Sequence, residues 1–298
     1  MLPNHGVNRL GKNVNGYAGE GIEIATVLDD CLAAALQHGW RAEEISAEPT
    51  RINGFTRLSA GTAQPSRTPS SLPASIQGRS EIPAARHRVY LSAGIHGDEP
   101  AGPLTLLRLL RHNQWPSGLH LWVCPCLNPA GFMTSRRENG QGIDLNRDYL
   151  QPKANETKAH IDWLERQPRF DLCLCLHEDW ESHGFYVYEL NPDHRPSLAE
   201  AIVARVARVC PVDYSEVIEG RQAQGGIIRP SLDPHSRPQW PEAFFLLTYK
   251  TRLSYTLEAP SDYPLPARVN ALFAGVSAAL EALVSSEVRA AAPRNRVD

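Results

Sequence analysis

From Arg88 onward, short apolar runs alternate with longer segments of helical period. The runs 88–94 (RVYLSAG), 119–126 (LHLWVCPC) and 171–176 (DLCLCL) are apolar on both faces, as strands covered on both sides are. Helices are predicted over about 99–112, 154–166 and 196–209, with a further strand at 184–190. A last buried strand, LSYTLEA, precedes a long helix at 266–286. Upstream, 18–39 has helical period with Ile22, Ala25, Leu28 and Leu32 on one face, and short strands are predicted around 43–48 and 54–59. Strands alternating with helices imply an α/β fold, with one mixed, mostly parallel sheet sandwiched between helices.

The pattern fails in two places. Residues 61–86 are rich in Pro and Ser and read as a long surface loop or linker, and 211–250 is broken by Pro and Gly. We read 1–287 as one domain and 288–298 as a disordered tail.

Composition narrows the function classes. The 298 residues carry a formal charge of −3, with 33 acidic side chains against 30 Lys plus Arg, so no global field favours nucleic acid. No run approaches the ~18 uninterrupted apolar residues of a membrane-spanning helix, and the N-terminus lacks an apolar signal-peptide region. The expectation is a cytoplasmic protein with neither a membrane nor a nucleic-acid partner. Six cysteines fit that compartment. Cys124/Cys126 and Cys173/Cys175 are two C-x-C pairs, each able to present two thiols on one strand face; four thiolates would make a metal site. The plainer reading, which we prefer, is small apolar side chains in two buried strands.

Chemistry-bearing residues collect after three of the strands, where α/β sheets place their sites. His96 and Glu99 follow the strand at 88–94, His177 follows LCLCL, and Glu258 ends LSYTLEA. Two imidazoles and a carboxylate suit zinc and leave one position for water. Chance alone supplies an H-x-x-E pair in a chain of this size, so the pair gains weight only from the motifs downstream of it. No G-x-x-x-x-G-K-[ST], G-x-G-x-x-G or G-x-S-x-G is present, which leaves nucleotide and serine-hydrolase chemistry unsupported.

Residues 128–149 read NPAGFMTSRRENGQGIDLNRDY. With its N-P-x-G, R-x-N and G-I-D-L-N-R, set between H-x-x-E and a later strand ending T-x-E, the chain resembles the zinc carboxypeptidase superfamily over roughly 88–260. The short spacing from Glu99 to His177 is similar to compact bacterial murein peptide amidases and to the succinylglutamate desuccinylase/aspartoacylase branch. The resemblance implies a carboxypeptidase-like fold and one Zn(2+) per chain on His96, Glu99 and His177. It implies Glu258 as general base, Arg137 as oxyanion stabiliser, and Asn146 with Arg147 as the grip on a substrate carboxylate. Asp144 would fix the tautomer of His96.

The chain departs from the family's pattern in two respects. The window before the base where digestive members carry a mobile tyrosine reads HSRPQWPEAF; Trp240 cannot donate a proton in the same way, and the role is left unassigned. Glu178, Asp179 and Glu181 form an acidic edge after His177, able to meet a basic group or second cation but read as a solvated loop. His183 is near enough in sequence to line the same pocket. The function implied is a metallocarboxypeptidase cleaving an amide next to a free carboxylate of a peptide, such as a cell-wall peptide. Its rivals are an N-acyl-amino-acid deacylase and a non-catalytic zinc or peptide-binding module. The sequence leaves the oligomeric state open.

Overall fold

A computed structural model describes residues 7–13, 20–47, 50–59, 87–233 and 237–291. The expected loop or linker at 61–86 lies outside the described residues. Ten strands form one mixed sheet: β1 (Arg41–Ala47), β2 (Thr50–Arg57), β3 (His87–Ala93), β4 (Leu119–Cys124), β5 (Leu172–Asp179), β6 (Tyr186–Leu190), β7 (Val217–Ile218), β8 (Arg221–Gln224), β9 (Ile227–Ile228) and β10 (Ser254–Pro260). Their order is β1-β2-β4-β3-β5-β10-β6-β9-β8-β7. The centre, β4-β3-β5-β10, is parallel. Beyond it only the short β6–β9 contact is parallel, so the sheet is more evenly mixed than the sequence suggested.

The sheet is covered on both faces, and the period of two along each strand assigns the residues. Val89, Leu91, Leu172, Leu174, Leu176, Tyr255 and Leu257 join one apolar core with helices α1 (Ile24–Gln37), α2 (Ala101–His112), α5 (Ala199–Val206) and α7 (Leu265–Ala291). Tyr90, Trp122, Cys124, Cys173 and Cys175 face the other core, under α4 (Asn155–Arg166), α6 (Glu242–Phe245) and a π-helical turn, Leu246–Lys250. A short helix, α3 (Pro129–Thr134), follows β4 and was not anticipated.

Several expectations need correction. α1 starts at Ile24, and its buried face is Ile24, Val27, Leu28, Cys31, Ala34 and Ala35. The helical period was right, but the phase was set by Ala25, which is exposed. β4 ends at Cys124, so Cys124 and Cys126 belong to different cores rather than one face. All six cysteines are free and buried, and burial raises the Cys175 thiol pKa, as the apolar reading expects. α7 continues to Ala291, so 288–291 are helical rather than part of a tail; 292–298 lie outside the described residues. Leu265–Ser285 does have the length and mean hydropathy (1.4) of a bilayer-crossing segment, contrary to the expectation from uninterrupted apolar runs. In the fold its apolarity is explained by packing: Ala271, Leu272, Val276, Ala279 and Leu280 are buried in the core shared with α2 and α5.

Candidate metal centre and active site

The same period of two builds the site. With Leu172, Leu174 and Leu176 turned toward α2 and α7, Cys173, Cys175 and His177 of β5 share the opposite face. On β10, Tyr255 and Leu257 occupy the first core, which leaves Thr256 and Glu258 on the face of His177. Parallel pairing then sets Glu258 directly opposite His177. All three line a cleft of about 470 Å³ at the carboxyl ends of the central strands, together with His96, Glu99, Arg137, Asn146 and Arg147.

His96 and Glu99 come from the turn between β3 and α2, and the N-P-x-G segment holds that turn in place. Asn128 caps α3 by accepting from Gly131 N–H (2.9 Å) and donates from Nδ2 to the carbonyls of Ile95 and Arg137, both at 3.2 Å. Gly97 packs backbone to backbone on Gly131: a Cβ at Gly97 would lie 2.1 Å from the Gly131 carbonyl carbon. One asparagine and two glycines therefore bring Arg137 alongside His96. Asn139 folds the following loop by accepting from Gln141 and Ile143 N–H, each at 3.0 Å.

His96 Nδ1, Glu99 and His177 converge. Ligand atoms of the three lie within 4.8 Å of one another and all three residues are buried; among the described residues no other group of His, Cys, Asp or Glu could hold a metal, which sets aside a four-thiolate site. The Glu99 carboxylate touches His96 Nδ1 through Oε1 and lies 3.1 Å from His177 Nδ1 through Oε2. On the far side of the ring, His96 Nε2 is 3.3 Å from Asp144 Oδ1, the place for a carboxylate that fixes the imidazole tautomer. Arg137 Nε donates to Asp144 Oδ2 (3.0 Å), and its Nη1 reaches to 3.2 Å from His96 Nδ1. A divalent cation fits this donor set in ligand type and burial.

The electrostatics agree. Burial favours the neutral forms of His96 and His177, but Glu99, joined at His96 by Asp144, outweighs it and raises both pKa values. Burial likewise opposes ionisation of Glu99, yet the two imidazoles hold its carboxyl well below the usual range. Glu258 goes the other way. Burial, with Glu99, Glu219 and Asp179 nearby, outweighs His177 and raises its pKa well above the ordinary value. That is the direction expected of a group that must take up a proton.

Asn146 and Arg147 sit on a one-turn helix, Leu145–Arg147, capped by Asp144 Oδ1 accepting from Asn146 N–H at 2.9 Å. Asn146 Oδ1 accepts from the backbone N–H of Glu242 (2.9 Å), which orients its amide; Arg147 is exposed at the cleft. Glu242 itself is buried, accepting from Tyr90 Oη and Ser92 Oγ, both at 2.9 Å.

The acidic edge is not the solvated loop expected. Glu178 and Asp179 continue β5 and are buried, and only Glu181 is exposed. Facing away from His177, Glu178 accepts from Ala101 N–H at the start of α2 (2.5 Å) and from buried Arg268, while burial raises its pKa to about 7. Its own N–H donates to Glu99 Oε2 (3.1 Å), tying the two ligand-bearing segments together. His183 meets Arg9 (2.9 Å) and is not part of the cleft lining. Trp240 is buried, and its carbonyl accepts from Tyr149 N–H. Tyr188, Glu219, Arg221 and Arg237, which carried no signal in the sequence, also line the cleft.

Residues 85–225 match the profile of the succinylglutamate desuccinylase/aspartoacylase catalytic domain. In sequence and in fold, the chain is related to the zinc carboxypeptidase superfamily. It is 36% identical over 104 residues to carboxypeptidase SOL1 of Arabidopsis thaliana, covering 28% of this chain and 21% of that protein. It is 40% identical over 91 residues to murein peptide amidase A of Escherichia coli K12, covering 30% of this chain and 37% of the amidase. The matches thus span only about a fifth to just over a third of these relatives' lengths. Among solved structures, a Shewanella amazonensis protein superposes with a TM-score of 0.69 at 22% identity, covering 88% of this chain and 93% of that one. A metallo-carboxypeptidase from Burkholderia cenocepacia gives 0.63 at 16%, covering 89% and 69%. At these identities the likeness is one of fold.

Proposed function

We propose that the protein is a zinc-dependent hydrolase that cleaves an amide bond next to a free carboxylate, in the manner of a metallocarboxypeptidase. The observation that carries this reading is one cleft holding a buried His-Glu-His donor set, a base candidate opposite it, and an Asn-Arg pair. Zinc on His96, Glu99 and His177 would supply an activated water near neutral pH and polarise the scissile carbonyl. The chain's own residues supply the rest. Asn146, its Oδ1 held by Glu242 N–H, and Arg147 bind the substrate carboxylate and fix the amide in the cleft. Glu258, its pKa raised, accepts the proton of the attacking water and returns it to the leaving amine. Arg137, held by Asp144, points its guanidinium where negative charge develops on the carbonyl oxygen. We place this reaction in the cytoplasm, on peptides that include cell-wall fragments.

A second reading, N-acyl-amino-acid deacylation with the same residues, is favoured by the desuccinylase/aspartoacylase profile over 85–225. Turnover of a peptide panel against N-acetylaspartate and N-succinylglutamate separates the two. The peptidase reading expects peptides to be cleaved, and activity on the acyl amino acids alone would overturn it.

A further inference from the structure

Glu242 meets Asn146 through its backbone N–H, while its side chain is buried against β3. There the carboxyl accepts from Tyr90 Oη through one oxygen and from Ser92 Oγ through the other, both at 2.9 Å. Tyr90 has one hydroxyl hydrogen, and giving it to Glu242 leaves Tyr90 to accept from Nε2–H of His160 at 2.8 Å. The His160 ring, its pKa lowered to about 3 by burial, is neutral and so accepts at Nδ1 from Tyr149 Oη (2.6 Å). Tyr149 closely follows Asn146 in the chain, and its own N–H donates to the carbonyl of Trp240, just before α6, at 3.2 Å. The contacts close a ring that runs from the Asn146 turn through Tyr149, His160, Tyr90 and Glu242. It returns to Asn146 Oδ1 by the Glu242 N–H, at 2.9 Å.

α6 and the π-helical turn after it are together too short to be a stable helix in water on their own. Pro241, just before α6, has no N–H, so the first N–H this helix can offer is that of Glu242. Its direction is set by the side chain of the same residue, which β3 holds by two hydrogen bonds. Burying a carboxyl group is costly unless donors meet its oxygens, as they do here. An apolar side chain would fill the same space without that cost, but it could not tie α6 to β3 by hydrogen bonds. In the proposed hydrolase, on which this inference rests, Asn146 must turn its only donor, Nδ2, to the substrate carboxylate. Holding Oδ1 on the Glu242 N–H fixes the amide that way round. We propose that Glu242 is the positioning residue of the substrate-carboxylate grip, its side chain acting through the start of α6 and the Asn146 amide without touching substrate.

Binding tests this without turnover. Calorimetry on zinc-supplemented Glu258→Gln protein would compare an acetylated alanine dipeptide bearing a free C-terminal carboxylate with the same dipeptide as its C-terminal amide. Adding Glu242→Gln puts an NH2 group where one hydroxyl donates. It should weaken binding of the acid by about tenfold and leave the amide within about twofold. Where Asn146→Ala has already removed the donor, the same Glu242→Gln change should alter acid binding by less than about twofold. A substitution that merely loosened the fold would act on acid and amide alike, and in both backgrounds. Tyr90→Phe removes one donor to Glu242 and keeps the aromatic packing. It should give a smaller loss with the same dependence on Asn146, and it carries the test if Glu242→Gln does not fold. Acid binding untouched by these changes, or weakened equally in the Asn146→Ala background, would overturn the role of Glu242 and leave the hydrolase reading standing. No preference for acid over amide in the Glu258→Gln parent would overturn the carboxylate grip itself, and this role with it.

Discussion

Glu258 faces His177 across a parallel pair, and Asp144 stands behind His96, so the two carboxylates have separable roles. Replacing Glu258 with Gln keeps the size of the side chain and removes the proton acceptor. Zinc content should not change, while kcat for the best peptide falls by about 10²–10⁴-fold; unchanged kcat would show that another group is the base. Asp144→Asn should instead weaken zinc binding by about 10- to 100-fold, measured by chelator competition. These residues were legible in the sequence through the ordered motifs they belong to and the resemblance those carry; the local tasks behind the motifs, Asn128 and Asp144 capping and Gly131 permitting contact, emerge only in the structure. Arg221 and Arg237 were not. They reach the cleft by long-range placement on a hairpin and a loop with no hydrophobic period to anchor a register.

At the scale of elements, Gly131 is a tight joint, second to its partner Gly97. A Cβ there would lie 2.5 Å from Asn128 Nδ2 and 2.8 Å from the carbonyls of Arg136 and Glu138. Gly131→Ala should cost roughly 1–3 kcal/mol in denaturant unfolding and displace Arg137, lowering kcat more than zinc affinity. A variant with normal stability would contradict the close packing described. The central strands were legible because burial on both faces leaves near-continuous apolar runs, as in LCLCL. Polarity misled at the end of β5: Glu178 and Asp179 look like loop residues, but Arg268 and Tyr186 satisfy them inside the fold. Within 211–250, two-residue strands and a single helical turn are too short to show any period.

Over the whole molecule, burial of neutral groups sets the response to acid. His160 lies between Tyr149 Oη (2.6 Å) and Tyr90 Oη (2.8 Å), and burial lowers its pKa to about 3. The unfolded chain, whose histidine titrates near 6.5, binds the extra proton first as pH falls. Stability should therefore decline below about pH 6.5, with a slope approaching about 1.4 kcal/mol per pH unit from this group, until His160 protonates in the fold. Denaturant titrations from pH 7 to 4 should show a shallower decline in His160→Gln, and an identical slope would contradict the assignment.

The central claim is that His96, Glu99 and His177 form a zinc site. Elemental analysis of protein purified without added metal, unmutated and as His96→Ala, tests it most directly. About one zinc per chain is expected in the first and little in the second. No metal in the unmutated protein, or equal metal in both, would contradict it.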